Sequence, residues 1–382
     1  MRVVAAVTST RADFGLMRHA YASIDAAADL DLHLVVTGTH LSSAHGRTVD
    51  EVRASGLPIA RELEVELEAG SGGGTARTAG RMTGALAGAL EAIGPDVLLL
   101  LGDRFEIHAA AVAATAMRIP IVHLCGGEVT EGAVDQVWRN SITKMAHRHL
   151  VATAQYATNV EGMGEEPWRV EVVGTPGLDA IRQLPDAADE ELETVIGIPL
   201  EPPLVLVTFH PPTTLLPGEP DGPVQLAGFL DGLRDVPATY IVTGVNVDAG
   251  ADEVAEQLSR FAGEDPRRTL VASLGSTRYL QLMRRADAVA GNSSSGLLEA
   301  PSFQVPALDV GSRQRGRIAP PSVISVPASA EAVARGLRHA LDPGFRDGLQ
   351  DLVNPYGDGR TAARIMQALR ALRLDQGLLV KR

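Results

Sequence analysis

The segment Gly291-Asn292-Ser293-Ser294-Ser295-Gly296 joins an apolar strand to a helical stretch. Small residues there let a ligand approach the backbone. Free amides at a helix start, together with the side chains of Asn292, Ser293, Ser294 and Ser295, suit a phosphate or diphosphate. An ordinary serine N-cap on a glycine turn has the same sequence. Glu299, one turn further, can accept ribose hydroxyls or complement the helix dipole. Gly102-Asp103-Arg104-Phe105-Glu106 sets opposite charges at a strand end. Arg104 suits phosphate, and Asp103 suits orientation or proton exchange; a capping aspartate beside a surface arginine reads identically. Arg11, Arg313 and Arg317 follow other strands, and each offers the forked bonds a guanidinium makes to phosphate. Solvated surface arginine is the plain alternative for each.

His210 precedes Pro211 and Pro212, so its backbone is stiff. A histidine held there suits a phosphate contact or acid–base work, or a capping role. Residues 70–75, a glycine-rich run, lack the lysine of a phosphate loop and any G-x-G-x-x-G spacing, so a flexible loop or lid is expected. Cys125 lies at a strand end with no identifiable catalytic partner and reads as a structural thiol. Neither a Gly-x-Ser-x-Gly elbow nor a metal-spaced histidine pair occurs, and no metal or cofactor is expected.

Positioning these residues requires a scaffold, and the sequence spells one out. Apolar runs at 2–8, 32–38, 96–101, 119–124, 149–153 and 169–173 alternate with helical stretches at 16–27 and 106–118. After an acidic stretch at 186–193 and a proline-rich entry at 197–203, the scheme restarts. Strands are expected at 204–209, 240–243, 269–273, 286–290, 305–309 and 322–326. Helices fit at 223–233, 252–261, 276–285, 294–302, 330–341 and 360–374. Such alternation predicts an α/β chain of two Rossmann-like, doubly wound domains with parallel sheets. The boundaries fall at 1–180, 181–355 and a closing helix and tail at 356–382 that packs back on the first domain. Ligands in such sheets bind beyond the carboxyl ends of the strands, where every residue named above sits.

The 382 residues are 45% apolar and 21% charged, which excludes wholesale disorder. The formal charge is −13, and all but two of the 34 basic residues are arginine, the exceptions being Lys144 and Lys381. That balance carries no nucleic-acid footprint. One cysteine excludes an intrachain disulfide and a zinc ribbon. No 18-residue apolar span or leader-like start is visible, so a cytoplasmic protein without membrane contact is expected.

Six segments in order resemble the UDP-N-acetylglucosamine 2-epimerase family: TSTRADFG (8–15), GDRFE (102–106), HLCGGEVTEGAVDQVWRNSITKMAH (123–147), FHP (209–211), GNSSSGLLE (291–299) and DVGSRQRGR (309–317). The similarity spans about residues 1–340 and is closest to the hydrolysing branch of sialic-acid-type pathways. It implies a GT-B-type pair of domains facing a central cleft that holds the nucleotide sugar, with 181–355 binding UDP. It implies anti elimination of UDP across carbons 1 and 2, a 2-acetamidoglucal intermediate, and water addition giving N-acetylmannosamine. By position, Arg11, Arg104, His210, Asn246, Ser293, Ser294, Glu299 and Arg313 would hold UDP, and Asp103, Asp135 and His210 would be catalytic. Many members carry Glu where this chain has Cys125; Glu128 would supply that charge. A homodimer or homotetramer is implied. Alternatives are the non-hydrolysing interconversion of UDP-GlcNAc and UDP-ManNAc, a GT-B glycosyltransferase, and a non-catalytic nucleotide-sugar sensor.

Overall fold

The computed structural model describes residues 1–381 except 44–45, 69–70, 130–133, 211–214, 216–217 and 245–250, with backbone alone at 251–252. Its strands are β1 (Arg2–Thr8), β2 (Leu30–Val36), β3 (Ile59–Glu62), β4 (Val97–Leu101), β5 (Ile121–Leu124), β6 (Arg148–Val151), β7 (Val170–Val172), β8 (Leu204–Thr208), β9 (Thr239–Thr243), β10 (Arg268–Val271), β11 (Ala288–Gly291), β12 (Ala307–Val310) and β13 (Val323–Val326). Its α-helices are α1 (Arg11–Asp25), α2 (Val49–Ala54), α3 (Gly72–Ile93), α4 (Phe105–Ala116), α5 (Asp135–Met145), α6 (Ala154–Gly162), α7 (Asp179–Arg182), α8 (Asp189–Ile196), α9 (Gly222–Arg234), α10 (Ala251–Gly263), α11 (Gly275–Arg285), α12 (Ser295–Leu298), α13 (Ala330–Ala340), α14 (Pro343–Asp347), α15 (Thr361–Ala371) and α16 (Gln376–Leu379).

These elements form two compact units. Among the described residues, the first comprises 1–129, 134–179 and 356–381, the second 180–355. In the first, the strand order is β3-β2-β1-β4-β5-β6-β7, and every recorded pairing is parallel. In the second it is β10-β9-β8-β11-β12-β13, again parallel. The α/β expectation holds. Each sheet winds outward in both directions from its first strand, so the switch points lie between β1 and β4 and between β8 and β11. Those are the edges where such sheets bind ligands.

Burial on both faces explains the unbroken apolar runs. In β4, Val97, Leu99 and Leu101 join one core and Leu98 and Leu100 the other. Helix α15 puts Ile365, Met366 and Leu369 into the first unit's core beside Met17 and Ile24 of α1. It is held there because Asp179 accepts from the amides of Thr361 and Ala362, both at 3.0 Å, filling two of the donors a helix start leaves open.

Three local readings change. The glycine run read as a loop or lid supplies the first turn of α3, since Ser71 Oγ caps Gly74 N at 3.1 Å. The buried stripe Gly74, Thr78, Met82, Leu86 and Leu90 then anchors the helix. The helix expected over 294–302 is a single α-turn, α12, followed by a 3₁₀ turn at Ala300–Phe303. Finally, α5 has no counterpart in the sequence reading: its one apolar row, Trp138, Ile142 and Met145, is short, and Val137 is exposed.

Candidate active site

In the first unit, the loops after β1, β4 and β5 and the start of α5 bring charged groups together. Thr10 and Asp13 form a capping box at α1: Thr10 Oγ1 accepts from Asp13 N at 3.2 Å, and Asp13 accepts from Thr10 N at 3.1 Å. This starts the helix five residues earlier than its apolar pattern suggested. Arg11 points outward and pairs with Glu51 at 3.0 Å. Arg104 makes a forked contact to the buried Glu106, at 3.1 and 2.9 Å.

Asp103 pairs with Arg139, a buried arginine on α5. Arg139 also donates to Glu128 O at 2.8 Å and Gln136 Oε1 at 3.0 Å. One guanidinium thereby ties the β4 loop, the β5 loop and α5. Sequence reasoning missed it; a signal was present in the isolated arginine one turn after Asp135 on a helix otherwise poor in positive charge. Asp135 opens α5. Burial pushes its carboxyl pKa up, and the neighbouring Asp103 pushes the same way, against the pull of Arg104 and Arg139. Asp103, paired with Arg139, and Asp135, whose pKa burial raises, are two carboxylates in different surroundings.

Cys125 adopts φ +63° at the end of β5, and its thiol donates to the Glu128 carboxylate. Burial raises the thiol pKa, and Glu128 adds to the rise, so it stays protonated and is no nucleophile. The turn requires glycine at 127: φ is +76°, and a Cβ would lie 2.4 Å from Tyr156 O. His123 is fully buried, and burial takes its pKa down to about 3. Its Nε2 donates to Gly102 O at 2.8 Å, so the neutral ring holds the peptide beside Asp103.

In the second unit, β8 and β11 touch at the switch point. Gly291 has φ +139°, and a Cβ there would lie 1.9 Å from Thr208 O. The Asn292 amide grips the His210 backbone on both sides: Oδ1 accepts from His210 N and Nδ2 donates to His210 O, each at 2.7 Å. Its carbonyl accepts from Arg313 Nη1 at 3.1 Å and Gln314 Nε2 at 2.8 Å. Asn292 therefore fixes where His210 and Arg313 stand. A hydroxyl chain runs from Thr243 to Thr208 (2.9 Å), Tyr279 (3.2 Å), Ser295 (2.6 Å) and Ser293 (3.1 Å). Tyr279, absent from the sequence reading, is its hub. Ser294 is the N-cap of α12, and its hydroxyl makes no capping bond. With only one helical turn behind it, this turn offers amides and hydroxyls but little macrodipole.

Glu299 stands on the next turn. Burial raises its pKa to about 7, opposed by a backbone bond and by Arg317, and Oε2 has no hydrogen-bond partner. It is placed to receive a ligand hydroxyl. Asp309 is likewise raised by burial, to about 6, with Ser325 and Arg313 opposing. Asn246 lies outside the described residues.

Chemically, the first unit offers two neighbouring carboxylates, a set that suits proton transfer. The second offers a hydroxyl-lined turn with an arginine and a histidine fixed to it, a set that suits an anionic group.

Comparisons with known proteins point the same way. The sequence model of the UDP-N-acetylglucosamine 2-epimerase family matches residues 22–370. A UDP-N,N'-diacetylbacillosamine 2-epimerase (hydrolyzing) of Legionella pneumophila is 33% identical over 383 aligned positions, covering 100% of this chain and 99% of that protein. A GDP/UDP-N,N'-diacetylbacillosamine 2-epimerase (hydrolyzing) of Campylobacter jejuni is also 33% identical, covering 85% of this chain and 84% of that one. Among solved structures, the UDP-GlcNAc 2-epimerase from Neisseria meningitidis bound to UDP-GlcNAc shares the fold. Its TM-score is 0.82 at 18% identity, covering 97% of this chain and 100% of that one.

Proposed function

The chain belongs to the UDP-N-acetylglucosamine 2-epimerase family, and from that premise we propose that it is a hydrolysing 2-epimerase of UDP-linked 2-acetamido sugars. The observation that carries the reading is the Asp103–Arg139–Asp135 arrangement, because inversion at carbon 2 needs a base and an acid next to one C–H bond.

In the first step a carboxylate removes the proton at carbon 2 while the anomeric C–O bond breaks. The C–H electrons form the carbon 1–carbon 2 double bond, and the C–O electrons leave with UDP. In the second step, water adds hydroxide to carbon 1 and a proton to the opposite face of carbon 2. The products are UDP and the free 2-acetamido sugar with inverted carbon 2. Asp135 takes the proton-exchanging role, because a raised pKa matches a group that must both accept and return a proton near neutrality. Asp103, held by its ion pair with Arg139, orients that exchange. Glu128, three residues after Cys125, stands in for the carboxylate that the family resemblance implies at position 125, and its bond from the thiol holds it there.

The departing diphosphate calls for donors that strengthen as charge develops. Arg313, Ser293, Ser294, Ser295 and His210 take that role, with Arg11, Arg104 and Asn246 assigned to the same anion. Glu299 receives the ribose hydroxyls through its unpartnered oxygen. Hydrolysis is favoured over return of UDP because relatives at 33% identity across most or all of the chain are hydrolysing enzymes. Those relatives act on a 2,4-diacetamido sugar, so that sugar nucleotide and UDP-GlcNAc are the two substrates to offer.

The test is incubation with each sugar nucleotide in deuterated water, followed by NMR. Free UDP with a deuterated, C2-inverted sugar supports the proposal. UDP release that requires an added acceptor, with no change at carbon 2, would make it a glycosyltransferase.

A further inference from the structure

The chain has two lysines, Lys144 and Lys381, and both reach the same buried carboxylate. Glu165 pairs with Lys144 at 2.7 Å, with Lys381 at 2.8 Å and with the buried His149 at 3.0 Å. Burial alone would push the Glu165 pKa up, but bonds from His149, Lys144 and Lys381 outweigh it and bring it down to about 2. His147 and Arg169 face the same cluster.

This cluster sits at the far end of α5 from Asp135. Lys144 is on the last turn of that helix. Lys381 Nζ donates to the carbonyls of Thr143 (3.4 Å), Lys144 (2.8 Å) and Ala146 (2.6 Å). Carbonyls at a helix end lack intrahelical donors, so Lys381 acts as a C-terminal cap brought from far along the chain. Its own segment is fastened independently. Arg169, fully buried, donates to Leu378 O at 2.9 Å, Val380 O at 2.8 Å and Gly377 O at 3.3 Å, and to His147 O at 3.1 Å. From this anchorage α5 extends about 16 Å to Asp135. On the way it carries Arg139, which holds Asp103, and Thr143, which contacts His123, the residue that holds the Gly102 carbonyl. One route from the cluster to the paired carboxylates runs along this helix; a second runs from His147 and His149 through the β6–β5 pairing to His123 and the Gly102 carbonyl.

The geometry points to Lys381 as a positioning residue for the epimerase reaction: it sets the axial placement of α5, and hence the spacing of Asp135, Arg139 and Asp103. This rests on the assignment of proton chemistry to those carboxylates. A buried ion cluster adds little net stability over an apolar replacement, whereas one ammonium whose three hydrogens meet the Lys144 and Ala146 carbonyls and the Glu165 carboxylate ties the helix end to the cluster.

The test uses the full chain with Lys381→Met, which keeps the aliphatic stem and removes the charge, and Lys381→Arg, which restores it. Lys381→Met is expected to lower kcat by about ten- to a hundredfold, the scale set by a displacement of about 1 Å at reacting groups. UDP Kd is expected to stay within about twofold of wild type, and Lys381→Arg to recover most of kcat. The acid limb of kcat/KM, governed by Asp135 among Asp103, Glu106, Arg104 and Arg139, is expected to move to higher pH as Arg139 draws away. Unchanged kcat per folded molecule with an unchanged limb overturns the inference, even if Tm falls. Should Lys381→Met fail to fold, Lys144→Met, whose ammonium is half exposed, takes its place, with a smaller loss in the same direction expected and no loss counting against the inference. The Asp135 carboxyl titration, followed by ¹³C NMR in the absence of substrate, separates the two proposals. A midpoint raised by Lys381→Met in a protein inactive on every sugar nucleotide leaves Lys381 standing as the residue that places α5 and removes the proposed function. An unmoved midpoint in an active protein does the reverse.

Discussion

Replacing Glu299 by Gln perturbs one oxygen whose surroundings are well defined. In wild type, burial holds the carboxyl pKa at about 7 against an ordinary 4.5, and Oε2 has no partner. About a tenth of Glu299 is therefore ionised at pH 6 and about nine-tenths at pH 8. A ribose hydroxyl donates most strongly to the ionised carboxylate, so UDP affinity follows the ionised fraction and rises about tenfold across that range. The terminal phosphate of UDP titrates nearby in pH. Glu299→Gln carries that contribution alone, so the ratio of the two pH profiles isolates Glu299. The sign for stability is opposite. A folded-state pKa above the unfolded value means that the native protein holds more protons between pH 4.5 and 7. Stability therefore falls as pH rises through that window, by about 3 kcal/mol in total, and is flat above it. Glu299→Gln escapes this loss, so it gains on wild type in urea unfolding at pH 8 relative to pH 5. Isothermal titration at pH 7 in two buffers of different ionisation enthalpy completes the assay: UDP binding to wild type releases about half a proton more than binding to the variant. Identical pH profiles and identical proton release in the two proteins would refute the reasoning.

Asp135→Asn is expected to cut turnover by at least the 10²–10⁴-fold typical of a lost acid–base group while UDP Kd, read by titration, changes less than about threefold; Asp103→Asn follows the same pattern. Arg139→Met leaves Asp103 without its cation and Glu128 O without its donor. Breaking a buried pair costs about 3–5 kcal/mol, and a loss towards the lower end is expected because Asp103 is a quarter exposed. The same change removes a group that pulls the Asp135 pKa down, so the acid limb of kcat/KM moves to higher pH in a pH–rate profile.

Strands were the legible part of this fold. Val97–Leu101 and Leu204–Thr208 are five-residue strands buried on both faces, and a polar residue, Asp103 or His210, stands two positions after each. No surface helix could imitate them. Helix α5 was hidden for the converse reason. Its buried residues are Arg139, Ile142 and Thr143, so an ion pair and a histidine contact share the buried face with a core isoleucine. The arginine that joins three loops was invisible with it. The turn after β11 shows a further limit. Spacing marks Asn292 as a ligand group, but only the fold reveals that its amide already grips the His210 backbone on both sides. Tyr279 reached the hydroxyl chain through tertiary packing of α11 beside β8, which no local pattern records.

The most direct measurement is ¹H NMR of the full chain turning over UDP-GlcNAc or its 2,4-diacetamido counterpart in deuterated water. The account predicts free UDP accumulating together with a sugar that carries deuterium at an inverted carbon 2. UDP release with the original carbon 2 proton and configuration retained would contradict it.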